Sequence, residues 1–400
     1  MNTEGKILQE LTLMIKRGIS PAYVEEGVPV FNQKCIRGNK LDYSLIRHTD
    51  KGRKKISDEK YLKRWDVLVN STGVGTLGRV AQFKDQDKIA TVDSHVTIVR
   101  PDLDKIFGSY FGYCMYRMQP IIENMGAGAT GQTELSRVRL GEDLEIPLPP
   151  LPTQQKIASI LSAYDNLIEN NTKRIQILEE MAQRIYKDWF VNFKYPGHEN
   201  DKLVDSELGM IPEGWEVKKF GEIFEIKYGK GLPTKDIQKT GLYPVYGAGD
   251  VIGYYDRYVY ENKIALITCR GNGSGTVWRT RETAFITNNS FLIVPKKEFE
   301  FLEYHLVEQF CNNINIKSVI TGSAQPQITI TNFSTIDCLL LPRNISLKYC
   351  KQFRSVSEQI DNLYGLNKIL LQTRNLLLPK LISGKIDVSD LDIDTSILND

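Results

Sequence analysis

The sequence predicts an α+β fold that occurs twice: two sheet-based domains separated by two long antiparallel coiled-coil helices, in a pseudo-twofold duplicated chain. Three observations predict it. Asp165-Asn166-Leu167, followed by Asn171, returns as Asp361-Asn362-Leu363, followed by Asn367, at an offset of 196 residues. Each copy lies inside a long helical pattern, and each pattern follows a strand-rich stretch large enough to hold its own core. Further landmarks recur in the same order: Ile19-Ser20-Pro21 with Gly231-Leu232-Pro233, Pro29-Val30-Phe31 with Pro244-Val245-Tyr246, Gly73-Val74-Gly75 with Gly271-Asn272-Gly273, Gln132 with Gln325, and Pro149 with Pro342. The resulting division is a first domain over 1–150, a helix over 151–195, a second domain over 196–343, a second helix over 344–390 and an acidic tail over 391–400.

In the first domain the apolar run Val67-Leu68-Val69 predicts a strand ending in a glycine-rich turn, residues 91–99 a further strand, and 107–118 a helix. Gly73-Val74-Gly75-Thr76-Leu77-Gly78 matches G-x-G-x-x-G. A dinucleotide site requires a helix next, yet Arg79-Val80-Ala81-Gln82-Phe83 reads as a returning strand, and Gly271-Asn272-Gly273-Ser274-Gly275 breaks the spacing in the second copy. The segment is therefore read as a hairpin loop. In the second domain, 264–267 and 284–294 predict strands and 301–312 a helix.

After Pro152, Thr153 is placed to cap a helix whose seam follows alternating steps of four and three. The seam runs through Ile157, Leu161, Tyr164, Ile168, Asn171, Ile175, Leu178, Ala182, Ile185 and Trp189, over roughly 50 Å at 1.5 Å per residue. The same offset gives Phe353, Ser357, Ile360, Tyr364, Asn367, Leu371, Arg374, Leu378, Leu381 and Lys385, weaker at Ser357, Arg374 and Lys385. A single seam asparagine in each, Asn171 and Asn367, costs stability and fixes register. Each helix alone is compatible with packing on its own domain; two matched seams favour pairing with each other, antiparallel under a twofold axis, as a rigid spacer.

Composition sets further limits. A hydrophobic content of 41% and a charged content of 25% are ordinary for a soluble globular protein. No apolar run is long enough for a membrane span and MNTEGKILQE is no signal peptide, so a cytoplasmic location without membrane contact is expected. Cys35, Cys114, Cys269, Cys311, Cys338 and Cys350 show no C-x-x-C spacing or paired histidines, and no metal site is expected from spacing. Net charge is only +2, but residues 34–64 hold eleven Lys or Arg against four Asp or Glu, and 387–400 hold no basic residue.

Catalytic signatures are missing. The chain has no G-x-x-x-x-G-K-[ST], no H-E-x-x-H and no Asn-Pro-Pro-aromatic segment, and His48, His95, His198 and His305 are isolated in sequence. No catalytic, cofactor-binding or metal-binding residue is assigned. Glycine-rich loops flanked by Arg, Asn, Ser and Tyr suit a duplex, because glycine lets the backbone approach phosphates while Arg and Asn offer paired groups to guanine and adenine edges. The DNA-contact candidates are Lys34, Arg37, Asn39, Ser71, Thr72 and Arg79 in the first domain, and Lys230, Tyr246, Arg270, Asn272, Ser274 and Gln325 in the second. Each is equally compatible with a base contact, a phosphate contact or a structural role.

At this point the chain resembles the specificity subunits of type I restriction-modification enzymes. The resemblance rests on Ile146-Pro147-Leu148-Pro149-Pro150-Leu151-Pro152-Thr153-Gln154-Gln155-Lys156-Ile157, on Asp165-Asn166-Leu167-Ile168, on Gly209-Met210-Ile211-Pro212-Glu213-Gly214-Trp215, on Tyr243-Pro244-Val245-Tyr246-Gly247-Ala248-Gly249 and on Leu381-Ile382-Ser383-Gly384-Lys385-Ile386. It implies two target recognition domains that read a split sequence in double-stranded DNA. It also implies two methyltransferase subunits and two translocase-nuclease subunits as partners, with S-adenosylmethionine, ATP and magnesium bound there and not in this chain. The first copy lacks the Gly209-to-Pro212 lead-in, and the second replaces Leu151-Pro152-Thr153-Gln154-Gln155 with Asn344-Ile345-Ser346-Leu347-Lys348. A coiled-coil protein adaptor without DNA specificity and a self-sufficient methyltransferase are the alternatives. The first leaves the basic residues 51–55 without a purpose, and the second lacks its catalytic motif.

Overall fold

In a computed structural model, residues 5–127 and 134–396 are described, so the Gln132 landmark lies outside the description. They belong to two compact units, residues 1–170 with 367–400, and residues 171–366. Both unit boundaries fall inside the long helices.

In the first unit Val67–Asn70 is a central strand, antiparallel to Val80–Gln82 on one side and to Val96–Pro101 on the other, with Thr12–Arg17 beyond. Successive side chains of a strand point to opposite faces. Val67, Val69 and Val99 accordingly join Tyr110, Phe111, Cys114 and Met115 of helix α1 (Gly108–Asn124) in one core. Leu68, Ala81 and Ile98 face a second core with Phe31 and Phe83, under the sheet that contains Val28–Phe31. Both faces are covered, which is why Val67-Leu68-Val69 is apolar throughout and not alternating. The Gly73-to-Gly78 segment joins two antiparallel neighbours and is a hairpin loop, with positive φ at all three of its glycines.

The expected strand over 91–99 is two pieces. Thr91–Val92 pairs in parallel with Val30-Phe31, whereas Val96–Pro101 belongs to the central sheet. Asp93 makes the break, its carboxylate accepting from the His95 N–H at 2.9 Å. Residues 284–294 divide likewise into Phe285–Ile286, parallel to Val245-Tyr246, and Ser290–Pro295. A strand that changes sheets has to turn between them.

A short helix α2 (Arg137–Asp143) precedes α3 (Leu151–Phe190), whose first half closes the unit. Gln154, 2% exposed, accepts from the Phe107 N–H at 2.9 Å and donates to the Pro149 carbonyl at 2.8 Å. It thereby supplies a partner at the start of α1, where backbone N–H groups lack intrahelical acceptors.

The second unit repeats the plan. Its central sheet runs Phe224–Tyr228, Ser290–Pro295, Ala265–Thr268 and Val277–Arg279, all antiparallel. Beside two short helices, α4 (Phe220–Ile223) and α6 (Ile330–Ser334), helix α5 (Tyr304–Asn312) packs Leu306, Val307 and Phe310 against Ala265 and Ile267. Ile211 and Trp215 join the same core as Tyr186, Trp189 and Phe190 of α3, with Trp215 stacked on Tyr195 at 5.6 Å.

Helix α7 (Arg343–Ile382) pairs antiparallel with α3 within each unit. In the first, Ile157 and Leu161 share a core with Leu378, Leu381 and Ile382, and Asn367 Nδ2 donates to the Ile168 carbonyl at 3.5 Å. In the second, Ile175 packs with Ile360 and Leu363, with Leu178 beside them. Tyr164 is half-buried and Asn171 buried. Two expected seam positions are corrected. Leu371 is 43% exposed and Tyr364 37%, because the seam steps through Leu363 and the half-buried Leu370 instead. Tyr364 packs at the seam edge, its ring under the Arg281 guanidinium at 3.4 Å. The chain after α7 is also more engaged than its acidic composition suggests. Val388, Ile386 and Ile393 reach the first unit's core, and the Ser389 and Asp394 carbonyls accept from Lys156 Nζ and Ser159 Oγ of α3.

The repeated aspartate ties helix to domain in both units. Asp165 accepts from Tyr113 Oη at 2.7 Å and from Arg374 of α7. Arg374 is buried, so this seam position holds a cation because it faces a carboxylate. Asp361 accepts from Lys263 at 2.5 Å, Arg279 at 2.9 Å and Arg281 at 3.0 Å, with Tyr304 Oη at 3.4 Å. Burial pushes the Asp361 pKa up, but Arg279 and Lys263 outweigh it and hold it below the ordinary carboxylate value. A depressed carboxylate stabilises the fold above its unfolded pKa, and that stabilisation is lost as pH falls through the folded pKa. Asp361→Asn should therefore cost about 3 kcal/mol at neutral pH, because the half-buried Lys263 loses its carboxylate and the buried Arg279 keeps only Glu308. In denaturant titrations the gap between variant and wild type should close as the solution is acidified below about pH 4; a pH-independent gap would mean that the carboxylate charge is not what matters.

Candidate nucleic-acid interface

Antiparallel neighbours bring alternate strand ends together, so several loops of each unit meet at one end of the central sheet. In the second unit these follow Tyr228, precede Ser290, and join Thr268 to Val277. Backbone hydrogen bonds weave them into a single rim. The Gly229 N–H donates to the Ser290 carbonyl at 3.1 Å, Lys230 to Ile286 at 2.9 Å, Cys269 to Asn289 at 2.8 Å, and Gly271 to Pro326 at 2.9 Å. Gly229 is required here, since a Cβ at this position would lie 2.2 Å from the Thr287 carbonyl oxygen. Gly271 and Gly275 take positive φ at the corners of the hairpin loop, which only glycine adopts without strain.

Five side chains of this rim point to solvent without a fixed polar role among the described residues. Lys230, Arg270, Asn272, Gln325 and Gln327 are exposed, and the Arg270 guanidinium lies 5.8 Å from the centre of the Tyr228 ring, itself 41% exposed. Among the described residues no carboxylate pairs with Arg270. A cation on an aromatic face beside amide side chains provides a donor fork, a stacking surface and mixed donors and acceptors, the set that duplex edges and phosphates require.

The first unit builds the same rim. Ile19 forms a parallel bridge with Asp93 where Lys230 bridges Thr287, and Thr72 bridges Glu134 where Arg270 bridges Gln327. Gly18 is again obligatory, its virtual Cβ 2.1 Å from the Val92 carbonyl oxygen. Lys34 and Arg37 are exposed. Arg37 leads into a two-residue hairpin at Gly38 and Asn39, both with positive φ, the geometry of a type I′ turn. Beside the rim, Lys54 donates to the Ser20 carbonyl at 3.0 Å, which places the basic 51–55 loop next to the Gly18-to-Ser20 segment.

Other sequence candidates hold the loops in shape. Ser71 is fully buried, its hydroxyl 2.6 Å from Thr97 Oγ1, and Tyr246 is 7% exposed against Trp278 at 5.3 Å. Both are buried at strand ends, where they hold loop backbone and do not face solvent. Asn39 donates to Gln119 Oε1 at 2.9 Å, Thr72 bonds His95 Nδ1 at 2.8 Å, Arg79 donates to the Gly75 carbonyl at 2.8 Å and Ser274 donates to the Pro326 carbonyl at 2.8 Å. Sequence reasoning missed Tyr228 and Gln327. Tyr228 directly precedes the Gly229-Lys230 pair, which is the signal that marks it; Gln327 had none beyond its nearness to Gln325.

The chain is similar to known proteins in sequence and in fold. The family model described as type I restriction modification DNA specificity domain matches residues 21–180 and 212–340. The chain is 28% identical over 305 residues to the type I restriction enzyme MjaIX specificity subunit of Methanocaldococcus jannaschii, covering 70% of this chain and 69% of that one. It is 23% identical over 416 residues to the type I restriction enzyme HindI specificity subunit of Haemophilus influenzae, covering 82% and 88%. The crystal structure of a type I restriction-modification S subunit from M. genitalium shares the fold, with a TM-score of 0.57 at 20% identity over 95% of this chain and 96% of that one.

Arg270→Ala separates the roles available to this rim. If the guanidinium reads a base edge, duplex binding should weaken by ~1 to 3 kcal/mol with preference relaxed at one position. A phosphate contact instead weakens all sequences alike and makes the salt dependence shallower. Titrations at two salt concentrations against a target and a half-mismatched duplex distinguish these; a lowered melting temperature with unchanged binding would remove Arg270 from the interface.

Proposed function

Because the chain belongs to the type I restriction modification DNA specificity family, we propose that it is the DNA-recognition subunit of a type I restriction-modification complex. Each rim reads one half of a split target in double-stranded DNA. The observation that carries this reading is that the same loop-built rim occurs once in each unit, at the same end of the same sheet, with different exposed side chains on it. Lys34, next to the Gln33 carbonyl that accepts from Asn70 Nδ2 at the end of the central strand, faces solvent in one, and Lys230, Arg270, Asn272 and Gln325 do in the other. A repeated central sheet with different surface chemistry at its end is what reading two unlike half-sequences requires.

The chain itself is non-catalytic in this reading. It scaffolds two methyltransferase subunits that bind S-adenosylmethionine and two ATP- and magnesium-dependent translocase-nuclease subunits, in the cytoplasm. Among the described residues no helix is long and apolar enough to cross a membrane. A protein-binding adaptor has less support, because it gives no role to uncommitted Arg, Lys and amide side chains gathered on sheet-end rims.

Exchanging residues 1–145 for the matching segment of a relative tests the reading. Mapping methylated adenines in cells that carry the complete system should show one half of the target changed and the other retained. A change in both halves, or in neither, contradicts two independent readers.

A further inference from the structure

Away from the rim, in the unit of residues 171–366, three side chains with metal-ligating atoms converge from distant parts of the sequence. Glu303 precedes α5 as its N-cap, His305 lies in its first turn, and Cys350 sits on α7. One ligand atom from each lies within 4.8 Å of the others. His305 is 5% exposed, and among the described residues neither ring nitrogen has a hydrogen-bond partner. Its nearest carboxylate oxygen, Glu303 Oε2, is 3.7 Å from Nδ1, beyond hydrogen-bond reach. Buried imidazoles normally satisfy their ring nitrogens, so one that satisfies neither calls for a ligand.

Arg354 on α7 binds Glu303 through Oε1 and approaches Oε2 at 3.3 Å, which orients the carboxylate in the way outer partners orient metal ligands.

We propose that Glu303, His305 and Cys350 form a zinc site that clasps α5 to α7. One oxygen, one nitrogen and one sulfur donor suit Zn²⁺, whereas Mg²⁺ and Ca²⁺ take oxygen donors. As the metal–Sγ bond forms, the Cys350 thiol proton is released to solvent. The other unit lacks the set. The tyrosine bonded to the repeated aspartate is Tyr304 here and Tyr113 there, so Gly112 and Cys114 stand where Glu303 and His305 do, and among the described residues no second such group occurs.

The full chain, stripped with chelator and titrated with Co²⁺, reads the site by absorbance. Wild type should develop visible bands and a thiolate charge-transfer band that saturate at about one equivalent and vanish on adding Zn²⁺. Cys350→Ser and His305→Asn, shown to be folded by circular dichroism, should weaken binding more than about tenfold, while Cys114→Ser binds as wild type does. If either site variant fails to fold, the wild-type spectrum decides alone, since the site predicts the intensity of one thiolate. Wild type without a charge-transfer band, or a folded Cys350→Ser that keeps it, overturns the proposal.

Discussion

Everything else in this protein depends on the antiparallel pairing of α3 with α7, because the core of each compact unit takes side chains from both helices. The unit built on residues 1–170 draws Leu378, Leu381, Ile382 and Val388 into its core from the far end of the sequence. Burying side chains of this kind contributes about 1.5 to 3 kcal/mol each, a share comparable to the whole net stability of a domain. The unit of residues 171–366 depends in turn on Tyr186, Trp189 and Phe190 at the end of α3, packed with Tyr349 and Phe353 of α7. The repeat is thus more than a duplication of domains, since each copy's helix completes a core.

That constraint accounts for the residues most visible in the sequence. Asp165 and Asp361 stand where helix, domain and partner helix meet, and each is satisfied by a tyrosine of the adjacent domain helix together with cations. The sources of positive charge differ. In one unit the cation comes from the seam itself, as Arg374; in the other it comes from Arg279 at the end of a strand, with Arg281 and Lys263. The aspartate is retained while its partners have changed, as expected when the charge balance matters and the route to it does not.

The architecture was legible because its signals are periodic and repeated. Both helices, the central strands and the refusal of a nucleotide site at Gly73 followed from spacing alone. The seam was displaced at Tyr364 and Leu371 because Leu363 and Leu370 satisfy the same period one residue earlier, and a tyrosine under Arg281 is packed without being buried. The burial of Ser71 and Tyr246 was not legible, because a polar residue beside a glycine loop looks the same in sequence whether its strand end is buried or open. Nothing in the spacing of Glu303, His305 and Cys350 connects them, since the fold alone brings α5 onto α7.

Hydrogen exchange on the full chain carrying Leu378→Ala and Leu381→Ala tests the closure most directly. Protection should fall across the first unit, including Val67–Asn70 and α1, while residues 171–366 keep theirs. Loss confined to the end of α7, with Val67–Asn70 and α1 as protected as in the wild type, would contradict the claim that the far end of the chain completes the first unit's core.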